Sequence, residues 1–214
     1  MGWVVLNEIV KIVEHKKIFK RNKKAVKTKI LGVLLYHRAL SYRDASKILG
    51  IIEPASYEAV RYWYNQFKEL FVVGCKDRRA VAIDETKVKR EGKQIFLWTA
   101  VDVDSKKILA FYISETRCAL DTYWFLKKVM ESCTNKPVII GDKAPWYRWA
   151  LQRLGLPYRH ETFGERNAVE KWHSPFKHKI KRFWKLFPFH STNISIERWC
   201  LCYVVLFKIW RFLF

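Results

Sequence analysis

The sequence predicts a mixed α/β protein with an N-terminal helical module, and three observations lead there. Beyond residue 78 the apolar pattern reads strand, strand, strand, helix, strand, helix, strand, helix. Residues 29–71, by contrast, repeat their apolar positions at the three-and-four spacing of short helices. Finally, Asp84 lies inside the first strand, Asp142 ends a later strand, and Glu170 opens a still later amphipathic stretch. A mixed sheet can bring acids so placed to one edge.

Residues 1 to about 29 carry a basic run from Lys16 to Lys29, through Lys20, Arg21, Lys23, Lys24 and Lys27. It is either a solvated helix face or an arm that touches phosphates. In the first following helix Ile30, Val33, Leu34 and His37 share one face. Ser41 is placed to cap the second, with Tyr42, Ala45, Ile48 and Leu49 on its buried side and Gly50 at its end. Ser56 is placed to cap a third, with Val60, Trp63, Tyr64, Phe67 and Phe71 inward and Arg61, Asn65 and Lys68 outward. A short helix, a glycine-containing turn and a second helix with an Arg/Asn/Lys face suit a helix-turn-helix entering a DNA major groove. The alternative is a plain three-helix packing module. The division is expected at 76/77, with the arm and helix-turn-helix in 1–76 and the α/β part, including C-terminal helices, in 77–214.

Strands are predicted over 81–88, 94–104 and 108–114, joined by the turns Arg90–Lys93 and Asp104–Lys106. A helix follows over 119–133, then a short buried strand at Val138–Gly141. Pro145 starts a helix that Gly155 closes, and 158–163 forms a fifth strand before further helices. Three hairpin-linked strands followed by strands alternating with helices give a mixed five-stranded sheet, in the order of the ribonuclease H-like fold.

The 214 residues carry a net charge of +21 with a pI near 9.9. Such a surplus points to a polyanionic partner, nucleic acid or an anionic membrane. The membrane is disfavoured, because Cys200–Phe214 is interrupted by Lys208 and Arg211 and falls short of the ~20 apolar residues of a spanning helix. No signal-like leader opens the chain, so a cytoplasmic, nucleoid-associated location is expected. Five cysteines without a CxxC pair read as reduced core thiols. His173 and His178, five apart, do not match the helical spacing of a zinc pair.

A carboxylate within a buried strand is costly unless it is paired or metal-bound, so Asp84 needs a cation. A lysine salt bridge is its alternative. Glu85 points to the opposite face by the period-two rule. Asp142 stands where α/β sheets collect ligands, or else caps the helix at Pro145. Glu170 begins a helix whose core face runs Val169, Trp172, Phe176, Ile180, Phe183 and Phe187, while Glu170, Lys177 and Lys181 share another face. Pro175 is expected to kink that helix or start a new segment capped by Ser174. Three clustered carboxylates repel one another unless cations join them, which suggests a divalent-metal site acting on phosphate.

Asp84 in Ala-Ile-Asp-Glu-Thr, Asp142 in Gly-Asp-Lys-Ala-Pro-Trp-Tyr and Glu170 in Gly-Glu-Arg-Asn-Ala-Val-Glu resemble the DDE transposases of insertion sequences. The match is to insertion-sequence family six in its archaeal form, over about residues 25–214, with Lys177 as the basic residue seven positions after the glutamate. The separation of twenty-eight residues between Asp142 and Glu170 is shorter than in many such enzymes. The resemblance implies a retroviral integrase-like catalytic core and a helix-turn-helix that binds terminal inverted repeats. It also implies two Mg²⁺ ions, with Mn²⁺ as a substitute. Asp84 would bridge both ions while Asp142 and Glu170 each hold one, for DNA nicking and then transfer of the freed 3′-hydroxyl to target DNA. A homodimer or larger assembly on DNA follows from the need to handle two ends. The rival readings are a ribonuclease H-fold nuclease without strand transfer, a catalytically inactive helix-turn-helix protein, and a peripheral membrane protein.

Overall fold

The computed structural model describes residues 2–20, 23–38, 40–181, 186–187 and 191–213. The chain forms two compact units, Met1–Val72 together with Arg198–Phe214, and Val73–Glu197. The division therefore lies at 72/73 rather than 76/77, and the C-terminal residues count with the first unit.

The first unit opens with α1 (Gly2–His15), followed by α2 (Val26–Arg38), α3 (Tyr42–Leu49), α4 (Tyr57–Gln66) and a 3-10 turn at Phe67–Leu70. Ile9 and Val13 are buried, so α1 is an amphipathic helix, and the basic run from Lys16 begins after it. Lys29, counted in the basic run, is buried; its Nζ lies 5.1 Å from the Phe19 ring centroid, and burial lowers its pKa. Ser41 accepts from the Asp44 N–H at 3.0 Å and Ser56 from the Ala59 N–H at 3.2 Å, the two predicted caps. Ile48 is exposed rather than buried, and the Gly50–Ser56 connection is longer than the 3–4 residues of a helix-turn-helix turn. The last helix, α8 (Asn193–Leu213), contributes Trp199, whose indole donates to the Tyr36 hydroxyl at 3.0 Å.

In the second unit, β1 (Ala80–Arg90), β2 (Lys93–Asp102) and β3 (Ile108–Ser114) form an antiparallel meander. Then come α5 (Ala119–Met130), β4 (Val138–Gly141), α6 (Pro145–Leu154), β5 (Tyr158–His160), a 3-10 turn at Gly164–Arg166, α7 (Asn167–Lys181) and β6 (Leu186–Phe187). The sheet order is β3-β2-β1-β4-β5, with β4 parallel to β1 and β5 parallel to β4. That is the ribonuclease H-like order. A sixth, two-residue strand, β6, adds to the far end of β1. The fifth strand stops at His160, three residues earlier than expected.

One core cluster joins Ile83, Trp98 and Leu109 of the sheet to Phe125 and Val129 of α5 and Tyr147, Ala150 and Leu151 of α6. Gly155 closes α6 at φ 61°, the left-handed conformation that favours glycine, whereas Gly50 ends α3 with ordinary right-handed backbone. α7 continues through Pro175 without a break into a second segment, although the proline removes one backbone donor. Val169 and Phe176 are buried as the period predicts and Trp172 is half-buried; Phe187 is buried too, but in β6 beyond the end of α7, and the Ile180 side chain and Phe183 lie outside the described residues. Asp102, expected as a turn residue, is buried and pairs with Arg78 at 2.5 Å. Cys200 and Cys202 are core thiols, whereas Cys75 and Cys118 are exposed. Among the described residues no helix is long and apolar enough to cross a membrane.

Candidate active site

Strand register brings the first two acids together. β1 and β4 pair Ala80 with Val138 and Ala82 with Ile140, so two residues further on Asp84 and Asp142 fall on the same face of adjacent parallel strands. On the opposite face, a Cβ at Gly141 would stand 3.3 Å from Ile83 Cγ1, a tight contact. The carboxylate of Asp142 accepts the Ala144 N–H at 3.1 Å, so it also orders the turn into α6.

Glu170 stands in the first turn of α7, which packs on β1 and β2. The residue that links all three acids is Arg166, the last of the 3-10 turn before that helix. Its Nη2 donates to Asp84 Oδ1 at 3.0 Å and lies 3.8 Å from Asp142 Oδ2, while its Nη1 is 4.0 Å from Glu170 Oε1. Burial works against the guanidinium's charge, but the three carboxylates outweigh it and raise the Arg166 pKa. Its Nε is buried without an acceptor.

His173 supports the same acid from the other side. Its Nδ1 is 3.3 Å from Asp84 Oδ2 and its Nε2 is 3.1 Å from Thr99 Oγ1, Thr99 being the cross-strand partner of Asp84. Burial pushes the Asp84 carboxyl up in pKa, yet the His173 hydrogen bond and the charges of His173 and Arg166 leave it below the ordinary value. Neither Arg166 nor His173 was singled out from sequence as part of this site. A signal for His173 existed, because it falls at i+4 from Val169 and three before Phe176, on the core face of α7.

Glu85 faces the opposite side of the sheet, accepting from the Tyr147 hydroxyl at 2.5 Å and from Arg117 Nη1 at 3.3 Å. Burial raises its pKa, with smaller contributions from Asp84 and Asp142. Arg117 in turn lies 4.0 Å above the Trp146 ring.

Lys177 is exposed two turns along α7, and the Lys181 side chain lies outside the described residues. Arg61 is exposed on α4 and Asn65 half-buried, and Lys68 lies in the following 3-10 turn, 3.5 Å from Glu69.

As a donor set the three carboxylates suit a hard divalent cation, and a cation already sits among them in the form of the Arg166 guanidinium. Among the described residues no three acid, histidine or cysteine side chains surround a single ion position. The donors fit a hard divalent cation by chemistry.

Comparison with known proteins gives the arrangement its context. Residues 78–205 match the family model described as DDE domain. An uncharacterized protein of Methanocaldococcus jannaschii is 42% identical over 199 residues, covering 92% of this chain and 92% of its own length. The transposase for insertion sequence element IS257 in transposon Tn4003 of Staphylococcus aureus is 26% identical over 202 residues, covering 89% of this chain and 88% of that protein. The catalytic core domain of BIV integrase superposes with a TM-score of 0.42 at 14% identity, over 58% of this chain and 80% of that one. That last likeness adds nothing to what the strand order itself shows. The family match spans more than half the chain, and this protein belongs to the DDE transposases of insertion sequences, family six.

Proposed function

We propose that the protein binds the terminal inverted repeats of its element and catalyses metal-dependent nicking and strand transfer, with Asp84, Asp142 and Glu170 as the catalytic carboxylates. The observation that carries this reading is the gathering of these three acids, from three different elements, within 4.0 Å of one guanidinium. Two Mg²⁺ ions, when bound, would supply activation of the attacking oxygen and neutralise the leaving one. Asp84, Asp142 and Glu170 would hold them. His173 keeps the Asp84 carboxylate oriented by bonding one oxygen and anchoring itself on Thr99. No side chain acts as a covalent nucleophile in this scheme, so the chain's contribution is binding, orientation and charge.

DNA contact is supported by the net charge of +21. Lys177, two helical turns from Glu170, is suited to a phosphate beside the acids, and Arg61 to the end-binding module. Lys181, Asn65 and Lys68 remain part of the proposed DNA-contacting set. Assembly of two or more copies on paired ends completes the proposal.

The test is Asp84→Asn, assayed on oligonucleotides carrying an element end. Strand transfer is expected to vanish while end binding persists; strand transfer that survives would sink the assignment. A second reading, a DNA-binding protein that does not cut, draws on the guanidinium standing among the acids. It expects end binding indifferent to Mg²⁺ and no loss of function in Asp84→Asn.

A further inference from the structure

We infer that Arg166 is a resident counter-ion, holding the three acids together before metal binds and setting their metal affinity because a divalent ion must displace it. This rests on the reading of Asp84, Asp142 and Glu170 as metal-holding groups. Arg166 is then a positioning residue, acting through the carboxylates and not on DNA.

Charge comes first. One guanidinium faces three carboxylates, so the group is undercompensated and keeps a strong pull on a divalent cation. Geometry makes the two cations exclusive. Mg²⁺ requires oxygens at roughly 2.0–2.1 Å, and acids spread 3.0 to 4.0 Å from guanidinium nitrogens cannot close on an ion while the guanidinium stands between them. The resting position is also poorly rewarded. Of the three contacts only the 3.0 Å bond to Asp84 lies within ordinary hydrogen-bond length, and Nε has no acceptor.

The inference is tested by Mn²⁺ binding to the full chain, followed through the free-ion EPR signal and counted as the binding lost in Asp84→Asn. Arg166→Gln is expected to bind Mn²⁺ at least tenfold more tightly than wild type. Equal or weaker binding in Arg166→Gln overturns the counter-ion role while leaving the metal-holding reading intact. Absence of Asp84-dependent binding in both proteins overturns the two together. Should Arg166→Gln not fold, wild type carries the test alone, through phenylglyoxal labelling of Arg166 read by peptide mass spectrometry. Saturating Mn²⁺ is expected to raise that labelling several-fold; unchanged or reduced labelling overturns the displacement.

Discussion

Arg78 and Arg166 sit in the same unit and both meet strand carboxylates, yet they are opposites. Arg78 has its partners matched: Nε donates to Ser132 O at 3.1 Å, Nη1 to Asp102 at 2.5 Å and Nη2 to Gly74 O at 2.9 Å. Asp102 is equally satisfied, accepting from Ser105 and from the Asp104 N–H. Arg166 has three acids, one ordinary hydrogen bond and an orphaned Nε. A saturated ion pair fixes a fold, joining β1's approach to the end of β2. An unsaturated one, with more anions than one cation can serve, is the mark of a site built for something else.

The contrast can be broken in several places. The largest stability effect belongs to Arg78→Met, which strands Asp102 in the core. It should cost about 3–5 kcal/mol by urea unfolding, and Arg166→Gln clearly less, since Glu170 and Asp142 keep access to water. Equal losses would erase the distinction. Next is His173→Ala, which frees one oxygen of Asp84. If the histidine orients that acid, strand transfer should fall about 10–100-fold with end affinity unchanged; a loss of end binding instead would make its role structural only.

The acid limb of the stability curve reports on the Arg78–Asp102 pair. Burial raises the Asp102 pKa, but its bonds from Ser105 and Asp104 and the Arg78 charge leave it below the ordinary 3.8. A carboxylate with a depressed folded pKa contributes stability above its unfolded value and loses it as pH falls through the folded one. Wild type should therefore lose stability below about pH 3.8, and Asp102→Asn should show a flatter loss there by thermal melts in a pH series. The smallest effect is expected of Lys177→Ala. A lone phosphate contact removed should lower the slope of log affinity against log salt by about one, with no change in sequence preference.

Much of this molecule was legible in the chain. Three hairpin-linked strands, the caps at Ser41 and Ser56 and the glycine stop of α6 depend on neighbours within a few residues, so local pattern predicts them. The boundaries that slipped, at β5 and at the 72/73 division, lie where local signals are weak.

By itself, the sequence determined the strand and helix order, the placement of Asp84 within one strand and of Asp142 at the end of another, and the family. Strand and helix periodicity are short-range rules, and they sufficed for that; the β1–β4 register that sets Asp84 beside Asp142 is a long-range pairing. Only the tertiary structure decided which side chains meet those acids. Arg166 reaches Asp84 across 82 residues and His173 meets Thr99 across 74. Pairings at such separations depend on how α7 packs against β1 and β2, a matter of three-dimensional fit that no local pattern encodes.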